Sequence, residues 1–511
     1  MQKFLALVLI PLMLLSGCGG GGGGGSAPPP STPTVATTSL AEGVVNQPYG
    51  ATLAATGGTA PYTWSVSSGT LPGGLTLNAT SGYISGTPSA AASATPLTVT
   101  VTDSASKTGT ANLALTIIAA PPAQTIAGVG PNVVPLVVDS GPAGLTLTAV
   151  NIAYLTVTVC IPGNVPPSAN CQNIDHVEVD TGSNGLRILA DAPFNLTLPS
   201  AKDSNNNPLA ECLKFADGAS WGPIGTADVY ISGEKALGIS VHVIGGASGT
   251  IGGTVPSGCD TPAVLKTENT VADFGANGIL GVGPFINDCN SGGTCTAPPM
   301  GSPQSATYYG CPSVSNCATT DATLAQQVPN TVVHFATDNN GVIVELPPVS
   351  GATQVNPAGA LVFGIGTQAN NALGSATKLP GDANGNITAV FGGSNYGAFL
   401  DSGSNANFFP SSLTVCPSPN DGFYCPSALT SESAKLQGTG TGSESADFNV
   451  DNANTLFSTN PTYTAFPDLA GPIPAKVNPP FFDLGLSFFF GRNVFTSFEN
   501  PGTNAAPYYA Y

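Results

Sequence analysis

VEVDTGSNGLRI, Val177 to Ile188, carries an alternating apolar run into one carboxylate, Asp180, and then turns at Thr181, Gly182 and Ser183. AFLDSGSNANFF, Ala398 to Phe409, repeats the pattern far along the chain with Asp401, Ser402, Gly403 and Ser404. A carboxylate at a strand-to-turn junction is held rigidly, and the glycine lets neighbouring backbone approach closely. The hydroxyls of Ser183 and Ser404, three residues on, are within reach of the carboxylate oxygens. Two such carboxylates brought together do not both ionise easily, so they share a proton and titrate apart. One then serves as base and the other as acid at the same pH, which suits activation of a water against a peptide carbonyl. The plainer reading is a pair of Asx turns, which are common in β proteins. A third triplet, Asp139-Ser140-Gly141, reads as such a turn, because Pro142 stands where the hydroxyl is needed.

The rest of the composition sets the frame. Only 8% of the 511 residues are charged, Gly and Pro number 64 and 46, and short alternating runs between turn residues dominate. That is the pattern of an all-β chain with enough length for two or three cores. A net charge of −18 with 11 Lys plus Arg excludes nucleic acid and anionic membrane surfaces as partners. The start, MQKFLALVLIPLMLLSGC, has a lysine, an apolar run too short to span a membrane, and small residues before Cys18. It resembles a bacterial lipobox. Residues 1–17 are then a lipoprotein signal peptide and 18–38 a flexible Gly/Pro spacer. Cys18 is the expected lipidation site, the only membrane contact, and the tether to the bacterial cell envelope.

Setting Cys18 aside, ten of the 11 cysteines remain, without the spacing of a zinc site. Five disulfides are the simplest account, with Cys160–Cys171 and Cys416–Cys425 as short loops. The three histidines, His176, His242 and His334, lack metal-ligand spacing, and His176 and His242 read as ordinary strand residues. No phosphate-binding loop or serine-nucleophile elbow is present, so neither metal nor cofactor is expected.

Residues 39–118 read as a small β-sandwich, followed by a linker over 119–128. The phrases APYTWSV, LPGGLTLNATSGYISGTP and LTVTVTDS resemble the bacterial Ig-like, cadherin-like repeat. Trp64 is expected in its core, and the lone Asp103 makes a weak calcium ligand.

Residues 129–511 resemble the pepsin-like aspartic peptidases, two-lobed β proteins with one Asp-Thr/Ser-Gly-Ser/Thr motif per lobe. Besides the two motifs, NIAYLTVTVCIPGNV matches the family's opening hairpin, and FGANGILGVGPF its apolar-apolar-glycine element beneath the first aspartate. GALVFGIG resembles the strand opening the second lobe, with lobes expected at about 129–350 and 351–511. SFFFGRNVFTSFE resembles the last such element, with Phe489-Phe490-Gly491 in the key places. The resemblance implies that Asp180 and Asp401 are catalytic, that Thr181 and Ser402 cross-brace the loops, and that Gly182 and Gly403 offer backbone N–H groups. FADGASWGPIGTADVYISGEKALGISV, Phe215–Val241, resembles the flap hairpin, with Phe215, Asp217, Gly218 and Trp221 near its tip.

The chain departs from the family at the flap, where a tyrosine and a tryptophan normally bond to each other. Phe215 and Arg187 occupy those positions, with Trp221 a candidate to fill the space and Arg187 facing either Asp217 or solvent. A cysteine-rich insertion follows at Asn287–Cys317. The expectation is an all-β chain, an Ig-like sandwich followed by a two-lobed pepsin-like β-barrel domain, acting as a lipid-anchored endopeptidase on polypeptide. The alternative is a non-catalytic peptide- or glycan-binding adhesion lipoprotein on the same fold.

Overall fold

The computed structural model describes residues 32–37, 40, 43–45, 49–118, 130–145, 149–215, 218–256, 259, 266–289, 306–349, 355–473, 479–500 and 505–511. The signal segment, Cys18 and Asp217 lie outside them. The chain divides into two compact units, whose described residues are those up to 118 and those from 130 onward.

In the smaller unit, Thr108–Ile118 and Ala92–Thr102 form a long antiparallel pair, flanked by Thr63–Ser68 and Gly43–Val44. Tyr49–Thr52, Tyr83–Gly86 and Leu75–Leu77 make a second sheet. Leu97, Val99 and Val101 alternate onto one face, as strand geometry requires, and meet Trp64, Ile84, Leu113 and Leu115 in one core. Trp64 is thus a core residue. Asp103 is a turn cap: its carboxylate accepts the N–H groups of Ala105, Lys107 and Thr59 at 2.9, 2.8 and 3.0 Å.

Among the described residues, the larger unit is built on two sheets, of 16 and 7 strands. Its outline follows from two copies of one local device. In the first, strand Cys171–Asp180 runs parallel to Gly278–Val282, which puts Asp180 level with Gly281. Strand Asn184–Leu189 returns antiparallel on the other side of Gly278–Val282. In the second, strand Ser394–Leu400 runs parallel to Phe481–Leu484, with Leu400 level with Leu484. Asn407–Phe408 returns antiparallel on its other side. Each aspartate therefore sits where the chain loops across a neighbouring strand, and that strand needs a glycine. A Cβ on Gly281 would come within 2.6 Å of Asn184 backbone, and one on Gly485 would strike the backbone oxygens of Ala406 and Ser404. The first five residues of GALVFGIG fall in strand Ala358–Phe363, which lies between Val133–Val137 and Gly341–Glu345 in the large sheet.

One expectation is corrected here. The second apolar-apolar-glycine place is held by Asp483-Leu484-Gly485, not by Phe489-Phe490-Gly491. Of the latter, Phe489 ends a single helical turn, Leu486–Phe489, whose four residues are buried, and Phe490 is its C-cap. Asp483 breaks the apolar pattern that would have marked the strand.

Four disulfides join described residues. Cys160–Cys171 and Cys416–Cys425 are the two expected short loops, and Cys212–Cys259 and Cys311–Cys317 are the others.

Candidate active site

The two loops meet at their Thr and Ser residues. Thr181 Oγ1 donates to Leu400 O at 3.0 Å and accepts from Ser402 N–H at 2.9 Å. Ser402 Oγ donates to Val179 O at 2.7 Å and accepts from Thr181 N–H at 3.1 Å. All four bonds are buried, and each hydroxyl bridges from one lobe to the other. At roughly 1 kcal/mol net each, they fix the spacing of the carboxylates more than they stabilise the fold.

Each carboxylate is then held by its own turn. Asp180 Oδ1 accepts from Gly182 N–H at 2.8 Å and Ser183 N–H at 3.1 Å, while Oδ2 accepts from Ser183 Oγ at 2.5 Å. Asp401 Oδ1 accepts from Gly403 N–H at 2.8 Å, and its Oδ2 lies 3.1 Å from Ser404 Oγ. The crossed bonds of the two loops bring the carboxyls together. Gly403 makes room for this approach, since a Cβ there would sit 2.5 Å from Asp180 Oδ1. Asp180 is 1% exposed and Asp401 0%. Burial, with the Asp180 and Asp483 charges alongside, holds the Asp401 carboxyl well above the usual carboxylate range. That is the condition for one shared proton.

A third carboxyl, which the sequence reading missed, joins the site. Asp483 Oδ2 lies 2.6 Å from Ser404 Oγ, and Asp483 is 1% exposed. Burial pushes it up to about 7, against the hydrogen bond with Ser404. Its signal in the sequence is a lone acid inside FFDLGLSFFF.

The flap differs from what the sequence led one to expect. The arms of that hairpin are Leu209–Lys214 and Gly218–Ile231, so it begins before Phe215. Phe215, partly buried, meets Phe274 edge to face at 5.6 Å. Gly218 is buried against the Glu268 side chain. Trp221 does not fill the space beside Arg187. It pairs across the hairpin with Cys212, T-stacks on Tyr309 at 5.1 Å and donates to Ile251 O at 2.7 Å. That is the face opposite Glu211, because neighbouring strand residues point to opposite sides.

Nor does Arg187 face solvent. It is 0% exposed and bonds Glu211 at 3.0 Å and Asp288 at 3.1 Å, besides donating to the carbonyls of Asn184 and Gly185. Tyr308 donates to Asp288 at 3.0 Å, and His242 Nδ1 lies 3.3 Å from Glu211. Burial and the Arg187 charge pull His242 down to about 4, so it is neutral near pH 7. Burial and the Glu211 charge raise Asp288 well above the usual range. The core of the cluster is thus an Arg187–Glu211 pair with a protonated Asp288. Asp288 and Tyr308 come from the cysteine-rich insertion, and its Ala306–Ser313 strand pairs with the flap arm Leu209–Lys214. The insertion therefore supplies both a flanking strand and the groups that complete the Arg187 cluster.

Asp139 accepts from Gly141 N–H at 2.9 Å, an Asx turn, and its other oxygen lies 3.3 Å from His176. Among the described residues, no group of three or more His, Cys, Asp or Glu is arranged to hold a metal ion.

A cross-braced pair of buried aspartates, one from each of two like loops, thus stands within the all-β larger unit. The chain belongs to the family described as "Protein of unknown function (DUF3443)", whose model matches residues 128–511. A second model, "Putative Ig domain", matches residues 31–118. Among solved structures, the chain is similar to an aspartic proteinase from Irpex lacteus at 14% identity. That match covers 74% of this chain and 96% of the other, with a TM-score of 0.40. It also matches extracellular cadherin domains 1–4 of protocadherin gamma B7 at 12% identity, covering 42% and 49%, with a TM-score of 0.16. Among curated proteins, none matches.

Proposed function

We propose that this chain is an exported aspartic endopeptidase, tethered to the bacterial cell envelope by a lipid on Cys18 and carried on an Ig-like module. The reading rests on the cross-braced pair of buried carboxyls, each with its own serine and glycine donors. Asp180, better supplied with donors, takes the ionised role and draws a proton from the attacking water. Asp401, held protonated by burial and its acidic neighbours, donates to the oxygen of the scissile carbonyl. The polypeptide lies between the two loops, and the Phe215 hairpin borders it.

The test is cleavage of an unfolded protein between pH 3 and 7 by the chain lacking residues 1–17, with Asp180→Asn and Asp401→Asn beside it. Cleavage that vanishes in both variants supports the reading; a wild-type chain that cleaves nothing, or a variant that cleaves equally well, ends it. Anchoring is tested separately: Cys18→Ser in the full precursor should lose incorporation of a labelled fatty acid.

One observation favours a binding role instead. The flap arm is flanked by an extra strand and stapled by Cys212–Cys259, which suits a cleft of fixed shape. In that case peptide or glycan is held without turnover, and tight binding by both Asp→Asn variants is the distinguishing result.

A further inference from the structure

The hydroxyl of Ser404 stands between two carboxyls. Its oxygen is 3.1 Å from Asp401 Oδ2 and 2.6 Å from Asp483 Oδ2, all three groups being buried. A serine hydroxyl has one proton to give, and an ionised carboxylate has none. Both contacts are hydrogen bonds only if one of the two carboxyls carries a proton. When Asp401 is ionised, Ser404 donates to it and Asp483 donates to Ser404. When Asp401 is protonated, the hydroxyl turns and donates to ionised Asp483.

The mirror site lacks this device. Ser183 donates to Asp180, and the place matching Asp483 is filled by Ile279. A second observation agrees. Asp483 Oδ1 is buried and has no hydrogen-bond partner among the described residues. An ionised carboxylate left so underserved is costly, whereas a neutral carboxyl tolerates it. The other titratable groups facing Asp483 are Asp401 and Asp180 from the two loops, and Tyr509 from strand Tyr508–Ala510.

We propose that Asp483 is a positioning residue of the site, which holds a proton of its own in reserve and, through the Ser404 hydroxyl, passes it to Asp401 once Asp401 has given its proton away. This rests on the peptidase reading for its use in turnover, but not for the storage itself. The step balances without any co-reactant. The Asp483 O–H bond breaks as its proton passes to Ser404 Oγ, while the former Ser404 proton passes to Asp401 Oδ2. Asp483 is left ionised and Asp401 neutral, ready for the next donation.

Infrared titration of carboxylic-acid stretches in the full chain reads the stored proton whether or not the protein cleaves anything. The expected result is a buried acid signal lost near pH 7 in the wild type and missing from Asp483→Asn. Asp483→Ile, the residue of the mirror position, gives the same loss and serves if the asparagine variant does not fold. Asp468, which burial also pushes up to about 7, gives a similar signal that must persist in both variants as the internal reference. In the cleavage assay, removing the Asp483 charge leaves Ser404 committed to ionised Asp401, so the alkaline limb of the pH profile moves to lower pH. A merely structural role would lower cleavage evenly at every pH. A wild type with no such signal near neutral pH, an unchanged signal in the variants, or an unmoved limb overturns the proposal. Absence of cleavage in the wild type, with the infrared result intact, would overturn the peptidase reading alone.

Discussion

Seven residues past the first aspartate stands Arg187, paired across the ladder with Ile279. Seven residues past the second stands Phe408, paired with Asp483. The two loops are alike from the aspartate to the serine, and beyond it they place one polar and one apolar residue on the same two strands in opposite order. In the first lobe the charge falls on the returning strand and is neutralised outward, by Glu211 on the hairpin arm, with Asp288 hydrogen-bonded beside it. In the second the acid falls on the crossing strand and bonds inward, to the serine that also bonds Asp401. The same backbone thus sends buried polarity toward the Leu209–Lys214 arm in one lobe and toward the paired carboxyls in the other.

The largest test of that contrast is a pair of apolar substitutions. Arg187→Met leaves Glu211 buried without its cation and should cost about 3–5 kcal/mol of stability in urea unfolding. Phe408→Met, a swap of similar volume in an apolar place, should cost under about 1.5 kcal/mol. Equal costs would mean that the lobes do not differ in the way described.

Acidification sharpens the same point. His242 is held neutral in the folded chain down to about 4, while its ordinary value is 6.5. Between those values the unfolded chain binds the extra proton, so stability falls as the pH drops from 6.5 toward 4. The loss from this group is about 3 kcal/mol. The raised carboxyls Asp401 and Asp483 act in the opposite sense, favouring the fold at low pH and losing that contribution as the pH rises through their folded values. His242→Gln should flatten the acid side of a stability–pH curve and leave the alkaline side unchanged. A curve unaltered on the acid side would remove His242 from the account.

The smallest effect is expected at the third Asp-Ser-Gly triplet. Asp139→Asn keeps an oxygen for the Gly141 N–H and gives up only the part-exposed contact with His176. A change of at most about 1 kcal/mol, with cleavage unaltered, is predicted.

That triplet marks how far the sequence can be read. Asp180 and Asp401 were separable from Asp139 because Ser183 and Ser404 follow at the right interval and Pro142 does not. Gly278–Val282 was legible for the same reason, being an uninterrupted apolar strand with a glycine level with Asp180. Its counterpart was not, because Asp483 sits where the pattern demands an apolar residue, and the more apolar FFFG nearby looked the better match. The fate of Arg187 was hidden by distance along the chain: Glu211 is 24 residues away and Asp288 101, and no local periodicity links such partners. Trp221 was misplaced by the period of two, which puts it on the face of the hairpin away from Glu211.

The central claim is that Asp180 and Asp401 are two halves of one site, and a double-mutant cycle on cleavage tests it most directly. Residues that act as a unit are not additive. Asp180→Asn, Asp401→Asn and the double variant should therefore all fall to the same floor, at least about 100-fold below the wild type. Single variants that keep substantial cleavage, or losses that multiply in the double variant, would contradict it.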